Sequence, residues 1–204
     1  MMMKHFVYGN EISTNTLKET KSIIFGGGCF WGLEKRFWEL SGVVLTSVGY
    51  SGGKTENPSY EEVCSGFTDH VEVVKVDYKP NDIELKDLLK VFWEAHDPTQ
   101  GMRQGNDMGS QYRSVVFIED EADRNLVELS MNLFQEELYK NKVKEKFKLR
   151  VQIGFKLRVQ KKIKNKRILL TEELHWAYFL LKRGIETESQ FLRKNIKMQF
   201  TEKR

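Results

Sequence analysis

The chain is poor in cysteine: Cys29 and Cys64 are the only two among its 204 residues. Small secreted domains held by disulfides carry more, so a disulfide scaffold is excluded and a reducing, cytoplasmic setting is the expectation. The first 21 residues lack the apolar core of a secretory signal. They carry acids and no arginine, which argues weakly against a mitochondrial presequence. No apolar run approaches the roughly 18 residues of a transmembrane helix.

Metal and phosphate motifs are missing as well. The two cysteines lie 35 positions apart, and the four histidines, His5, His70, His96 and His175, follow no ligand spacing. No phosphate-binding glycine loop is present. A metal site is therefore weakly supported.

Charge is distributed unevenly along the chain. Residues 141–170 hold 12 Lys/Arg and one acid, a local charge of +11, and because the whole chain carries +4 the remainder carries −7. A basic tract suits nucleic acid, but this one lacks the aromatic motif of RNA-recognition strands. We therefore interpret it as a solvated charged face. We expect a flexible segment at 1–20, a catalytic domain at 21–140, and a divergent basic region at 141–204 that is partly packed or disordered.

Apolar periodicity predicts a βαββαβ order followed by a helix. This order is typical of a ferredoxin-like α+β sandwich, with helices packed on a mixed sheet and here an atypical C-terminal extension. The second long helix carries a leucine-rich stripe, and Asn81 or Asp82 is expected to cap it. The predicted strands are 22–25, 43–50, 71–78 and 114–118.

The segment after residue 141 contains "FKLRVQ" twice, at 147–152 and 155–160. Apolar and polar residues alternate from 147 to 159, which is strand-like. A basic hairpin or edge strand is one interpretation; a recent duplication or a sequence artefact is the other.

Cys29 follows three glycines in "GGGCFWGLE" and opens a predicted helix. Backbone N–H groups and the helix dipole at that position favour a thiolate, which is the reactive form of cysteine. The alternative is a buried structural cysteine, and for Cys64 that alternative is preferred. Phe30 and Trp31 are adjacent, so both cannot face the core from one helix, and one of them suits a pocket wall.

Glu72 occupies the more apolar face of the predicted strand 71–78, with Val74, Val76 and Tyr78. A carboxyl on a buried face has a raised pKa, which makes a general acid usable near neutral pH. The alternative is an exposed strand-end residue, or one paired with a base.

The loop 101–114 carries Arg103, Asp107, Tyr112 and Arg113, and loops of this length are often functional. Tyr60 ends the other polar loop; its hydroxyl, like that of Tyr112, suits a polar substrate atom, although tyrosines are often half-buried packing residues.

Five segments together resemble the A-type peptide-methionine sulfoxide reductases: "GGGCFWGLE", "GYSGG", "NPSYEEVCSG", "HVEVVKVDY" and "FWEAHDPTQGMRQGNDMGSQYRS". The resemblance runs from about residue 22 to 140.

The resemblance implies a role for each matching residue: Cys29 as nucleophile and Glu72 as acid, Phe30 and Trp31 as the walls around the substrate methyl group, and Tyr60, Asp107 and Tyr112 as polar groups around the sulfoxide oxygen. It also implies methionine S-sulfoxide, free or in oxidised proteins, as substrate. No metal or organic cofactor is implied. The expected reductant is an external dithiol such as thioredoxin, and the expected state is a monomer.

Two departures from the family bear on turnover. Members often carry cysteines near the C-terminus, whereas none follows Cys64 here, so Cys64 is the one candidate resolving thiol within the chain and an external thiol is the preferred reductant. The family's C-terminal motif survives only as "TEEL" (171–174) and "QFLRKN" (190–195). We therefore predict weak or fragile activity.

Two alternatives compete with the reductase. A cysteine hydrolase would need His70 or His96 to activate Cys29. A catalytically impaired family member would keep the fold and use its basic tract for binding.

Overall fold

The computed structural model describes residues 19–140 and 151–155, together with two short paired strands, β1 (Met3–Lys4) and β2 (Glu11–Ile12). These residues all belong to the first of two units, Met1–Arg158; the second, Val159–Arg204, lies outside the described residues. The elements after β2 are, in chain order, β3 (Lys21–Gly26), α1 (Phe30–Trp38), β4 (Val43–Ser51), α2 (Tyr60–Cys64), β5 (Val71–Tyr78), α3 (Leu85–Ala95), β6 (Arg103–Gln104), β7 (Asp107–Met108), a 3-10 turn (Ser110–Tyr112), β8 (Val115–Ile118), α4 (Glu121–Lys140) and β9 (Gln152–Phe155).

Five strands form one sheet in the order β4-β5-β3-β8-β9. The first four are antiparallel to their neighbours, whereas β9 runs parallel to β8. The sheet is therefore mixed, and β6 and β7 form a separate hairpin beside it.

The inner strand β5 is buried on both faces. Val74 and Val76 lie in the main core, which also contains the apolar residues of α1 and α3. Val71 and Val73 point to the opposite face, where they pack with Phe117 and its neighbours. The loop after β4 approaches this second face so closely that a Cβ on Gly52 would lie 2.6 Å from the Phe117 ring. Glu72 lies on the same face of β5 as Val74 and Val76, near the start of the strand, where its carboxyl meets the backbone of α1.

The helices form where apolar side chains recur at a spacing of three or four residues. In α1 the buried residues include Phe30, Leu33 and Phe37. In α3 five side chains are buried, and each contributes about 1.5–3 kcal/mol relative to an exposed position: Leu85, Leu88, Leu89, Phe92 and Trp93. The helices thereby fix the first turn of α1, and with it Cys29, against the sheet.

The predicted α+β class with helices on a mixed sheet is confirmed. The predicted cap at Asn81 or Asp82 is wrong: Glu84 is the N-cap of α3, and its N–H donates to Asp87 Oδ2 at 3.2 Å. The segment before it forms a turn instead, in which the N–H groups of Asp82 and Ile83 donate to the Lys79 carbonyl. The predicted loop at 101–114 contains the β6–β7 hairpin, which sequence patterning missed.

Part of the predicted period-two segment is described: Gln152–Phe155 is a strand, and Arg113 Nε donates to Gln152 Oε1 at 3.0 Å. The rest of 141–204, and the predicted flexible segment 1–20 apart from β1, β2 and residues 19–20, lie outside the described residues. Within the part of the chain that is described, no helix is both long and apolar enough to cross a membrane.

Candidate active site

The three glycines before Cys29 are each covered by a different neighbour. A Cβ on Gly26 would lie 2.7 Å from Val115, and one on Gly27 would lie 3.0 Å from the His96 ring. At Gly28 the space is filled by Gln104, whose Cγ would be 2.6 Å away, and φ is +94°, a conformation that favours glycine. Because the three glycines have no side chains, the backbone passes beneath three packed side chains and places Cys29 at the N-terminus of α1.

Cys29 is the N-cap residue of α1 and is partly buried. Burial, followed by the nearby charge of Glu72, raises the pKa of its thiol to about 11, and Asp107 adds to this effect. Hydrogen bonds from the backbone N–H groups of Trp31 and Gly32 lower the pKa but are outweighed. The predicted stabilisation of a thiolate is therefore wrong in its net effect, because burial and negative charge outweigh the helix N–H groups.

Glu72 is buried, with 3% of its surface exposed. Its Oε2 accepts a hydrogen bond of 3.1 Å from the N–H of Phe30, the residue after Cys29. Burial raises the pKa of the carboxyl to about 7; the Phe30 bond lowers it and the charge of Asp107 raises it further. The predicted burial of Glu72 is confirmed, and the carboxyl exchanges protons near neutral pH.

Three polar residues from separate elements interact with this pair. Tyr60 begins α2, Asp107 lies in β7, and Tyr112 ends the 3-10 turn. Burial, and after it the charge of Glu72, raises the pKa of Tyr112. The Tyr60 pKa is raised to about 12, first by a hydrogen bond with Cys64 and then by burial and neighbouring charges that include Glu72 and Cys29. The structure thus brings the cysteine, both carboxyls and both tyrosine hydroxyls together.

The two aromatics after Cys29 differ in exposure. Phe30 is 4% exposed and belongs to the core, with its ring 5.8 Å from that of Tyr50. Trp31 is partly buried, and its ring centroid lies 5.7 Å from that of Phe30. Phe30 therefore supports Trp31 from the core side, and Trp31 presents the aromatic surface nearer to solvent.

Cys64 is exposed and ends α2 one turn after Tyr60. Its interaction with the Tyr60 hydroxyl, and its weaker effect on Tyr112, place it beside the polar cluster. No local sequence feature indicated this position.

Both histidines that a hydrolase would need are engaged elsewhere. His70 accepts from the Gly53 N–H at Nδ1 (3.2 Å), and its Nε2 lies 2.9 Å from the Thr55 carbonyl. His96 bonds to the Phe92 carbonyl at Nδ1 and to Ser114 Oγ at Nε2, both at 2.8 Å. Burial lowers the His96 pKa to about 4. Neither ring is available as a base for Cys29.

Two further loop residues differ in their roles. Arg113 is buried and serves structure, donating to the carbonyls of Ser110 and Asp69. Gln104, which sequence reasoning missed, packs on Gly28 and bonds to Asp97. No local signal marks it, because its partners are brought to it by the fold.

Among the described residues, no group of three or more His, Cys, Asp or Glu is placed to hold a metal ion.

The fold and site thus define an α+β protein with a cysteine at a helix head beside a buried carboxyl. The family model "Peptide methionine sulfoxide reductase" matches residues 21–201. The chain belongs to the peptide methionine sulfoxide reductase family.

Curated relatives and solved structures agree with this. "Peptide methionine sulfoxide reductase MsrA" of Vibrio cholerae is 53% identical over 131 residues, 64% of this chain and 62% of the relative. The Pseudomonas savastanoi protein of the same name is 56% identical over 136 residues, 67% of this chain and 63% of the relative. The aligned part thus spans a little over three fifths of these relatives.

Among solved structures, methionine sulfoxide reductase A of Corynebacterium diphtheriae has a TM-score of 0.67 and 37% identity, over 76% of this chain and 72% of that one. Reduced Mxr1 of Saccharomyces cerevisiae has a TM-score of 0.59 and 32% identity, over 69% of this chain and 78% of that one.

Proposed function

We propose that the protein reduces methionine S-sulfoxide, free or in oxidised proteins, to methionine, with Cys29 as nucleophile and Glu72 as general acid. The observation that carries this proposal is the Glu72 carboxyl, which titrates near pH 7 and is bonded to the residue after Cys29. Sulfoxide oxygen leaves sulfur only when it is protonated or strongly hydrogen-bonded, and a neutral buried carboxyl supplies that proton.

The proposed step balances within the site. The Cys29 sulfur attacks the sulfoxide sulfur and forms an S–S bond to it. The protonated oxygen then moves to the Cys29 sulfur as the substrate S–O bond and the new S–S bond break, which leaves Cys29 as a sulfenic acid. Cys29 is oxidised and the substrate is reduced to a thioether by the same two electrons. Glu72 gives its proton to the oxygen and receives the proton of the thiol. A protonated Glu72 also removes the charge that, after burial, most raises the Cys29 pKa.

The remaining site residues are proposed to bind substrate. Tyr60, Asp107 and Tyr112 surround the polar end, where hydroxyl donors stabilise the developing charge on oxygen. Trp31, backed by Phe30, offers an apolar surface to the methyl group.

We propose that an external dithiol of the thioredoxin type reduces the sulfenic acid, releasing water and leaving a disulfide on the reductant. No metal or organic cofactor takes part. Cys64 is the one internal alternative as resolving thiol; it is exposed and hydrogen-bonded to Tyr60.

The order and directions of β3, β4, β5 and β8 support classing the sheet as ferredoxin-like. Residues 21–140 are proposed as the catalytic domain, in a monomer that acts in the cytoplasm.

A single-turnover assay tests this function. Pre-reduced protein without added thiol is mixed with N-acetyl-methionine S-sulfoxide, and the R epimer and the Cys29→Ser variant are the controls. The expected result is stoichiometric product from the S epimer alone, with Cys29 oxidised. Absence of product from folded protein contradicts the reductase and favours the impaired binding protein.

The intact mass after one turnover decides the recycling route. A gain of one oxygen supports the external reductant, whereas loss of two hydrogens indicates a Cys29–Cys64 disulfide. The predicted weak or fragile activity is checked by the specific activity with thioredoxin and by the melting temperature. Normal values of both contradict that prediction.

A further inference from the structure

We propose that Gln104 is a positioning residue, which fixes the hairpin that carries Asp107 against the glycine loop that carries Cys29. The inference rests on the proposed function for the role of the site, but it concerns a residue to which that function assigns nothing. Two contacts of the Gln104 side chain and one backbone pairing support it.

The Gln104 amide bonds to both backbone groups of one residue. Its Oε1 accepts from the Asp97 N–H and its Nε2 donates to the Asp97 carbonyl, each at 3.1 Å. The backbone of an adjacent strand would pair with Asp97 in the same way. The pairing requires one acceptor and one donor, and the side-chain amide of glutamine carries both. Asp97 follows α3, so the amide ties the hairpin to the end of a packed helix.

The methylenes of Gln104 cover the catalytic loop. The positions of its Cβ and Cγ lie 2.8 and 2.6 Å from where a Cβ on Gly28 would be. Gly28 immediately precedes Cys29, so the same side chain that holds the end of α3 also contacts the loop that presents the thiol.

Gln104 is also the cross-strand partner of Asp107 in the hairpin. The turn between them is held independently, since Gln100 Oε1 accepts from the Gly105 N–H and Arg103 donates to the Gly105 carbonyl. Gln100 lies outside the hairpin, so loss of the Gln104 amide would leave the turn tied to Gln100 and would let the strand that carries Asp107 shift about that contact.

The placement of Asp107 matters because its charge acts on the reacting groups. It raises the pKa of both Glu72 and Cys29. The titratable groups that interact with Glu72 are Cys29, Tyr60, Asp107 and Tyr112. Asp107 is the other carboxyl among these groups, and it lies in the hairpin. If the hairpin moves away from Glu72, the distance between the two carboxyls grows and the Glu72 pKa falls, so the Glu72 pKa reports the position of the hairpin.

The test follows the Glu72 carboxyl by ¹³C NMR across pH 5–9 in the full-length protein, with the resonance assigned by its absence in E72Q. Three single variants are compared with wild type: D107N, which removes the charge; Q104A, which removes the amide and the packing; and Q104M, which keeps the methylenes and adds no charge. The double variant Q104A/D107N is compared with D107N. T99A is the matched control, because the Thr99 hydroxyl donates to the Asp97 carboxylate at 2.6 Å, whereas Gln104 bonds to the Asp97 backbone.

The expected result is a Glu72 midpoint lowered in Q104A and Q104M in the same direction as in D107N, no further shift in Q104A/D107N, and no shift in T99A. An unchanged midpoint in the Gln104 variants, an additive shift in the double variant, or no effect of D107N itself would overturn the proposal. Circular dichroism establishes that each variant is folded. The titration requires no turnover, so a protein without reductase activity still tests the inference.

Discussion

The backbone N–H of Phe30 donates a hydrogen bond of 3.1 Å to Glu72 Oε2, and Phe30 directly follows Cys29. The carboxyl that we propose as general acid is therefore held by the backbone of the residue next to the proposed nucleophile. Because Oε2 accepts this bond, and a carbonyl oxygen accepts better than a hydroxyl oxygen, the bond favours the proton of a neutral Glu72 on Oε1, the oxygen that we propose to meet the substrate. The relationship also links the protonation of Glu72 to the geometry of the loop.

The first prediction concerns pH. The Glu72 pKa of about 7 is raised above 4.5 by burial, so the carboxyl is protonated below pH 7 and loses its proton above it. The single-turnover rate should be level from pH 5 to 6.5 and should fall about tenfold per pH unit above pH 7.5. Quenched-flow measurement of product checks this. A rate that instead rises between pH 7 and 9 would mean that the Cys29 thiolate, with its pKa of about 11, controls the reaction.

Glu72→Gln should slow the reaction and stabilise the fold. A Gln carbonyl still accepts from the Phe30 N–H but supplies no proton, so we expect a rate loss of about 10²-fold or more at pH 6. The raised pKa of a buried acid means that its charged form destabilises the protein. This cost is absent below pH 4.5, grows from pH 4.5 to 7 and is complete above pH 7, where it amounts to about 3 kcal/mol.

Urea unfolding at pH 8 and at pH 4.5 checks the stability effect. The E72Q variant should gain stability over wild type at pH 8 only. Glu56→Gln, at an exposed loop position, is the matched control and should leave the free energy of unfolding unchanged at both pH values. Equal stability of E72Q and wild type at pH 8 would show that Glu72 is not destabilising when charged.

The two tyrosines should contribute comparably through their hydroxyls. A hydrogen bond to a developing charge contributes about 1.5–3 kcal/mol, so Tyr60→Phe and Tyr112→Phe should each lower kcat/KM about tenfold or more. Tyr139→Phe, exposed on α4, should leave kcat/KM unchanged. An unaltered rate in the double variant would remove both hydroxyls from the mechanism.

Gly28→Ala should destabilise the protein and impair Cys29. A side chain there meets Gln104 at 2.6 Å on a backbone with φ +94°, and such strain costs about 1–3 kcal/mol. Gly49→Ala in β4 is the matched control, because no atom lies within 4 Å of its added Cβ. The free energy of unfolding measured in urea should fall in G28A only; equal stability of the two variants would mean that the loop adapts.

Sequence patterns located features that depend on local alternation and missed those that depend on distant packing. The burial of Glu72 followed from the alternation of Val74, Val76 and Tyr78 on the same face. The pKa of Cys29 did not follow, because burial and the charge of Glu72 are supplied by β5, far along the chain. Gln104 carried no signal for the same reason: Gly28 becomes its neighbour only in the fold. The α3 cap was misplaced because Asp82 is used in the preceding turn.

Strand β9 has a consequence for association between molecules. It pairs with β8, and its Gly154 allows the Phe117 ring to approach to 3.0 Å from where a Cβ would be. Without β9, the outer hydrogen-bonding edge of β8 would be open, and an open apolar edge is a template for pairing with another copy of the chain. The strand 152–155 covers that edge of β8, and a hydrogen bond between Arg113 and Gln152 holds it there. Deletion of this strand should therefore cause aggregation, measurable by light scattering, before it lowers the activity of the remaining monomer.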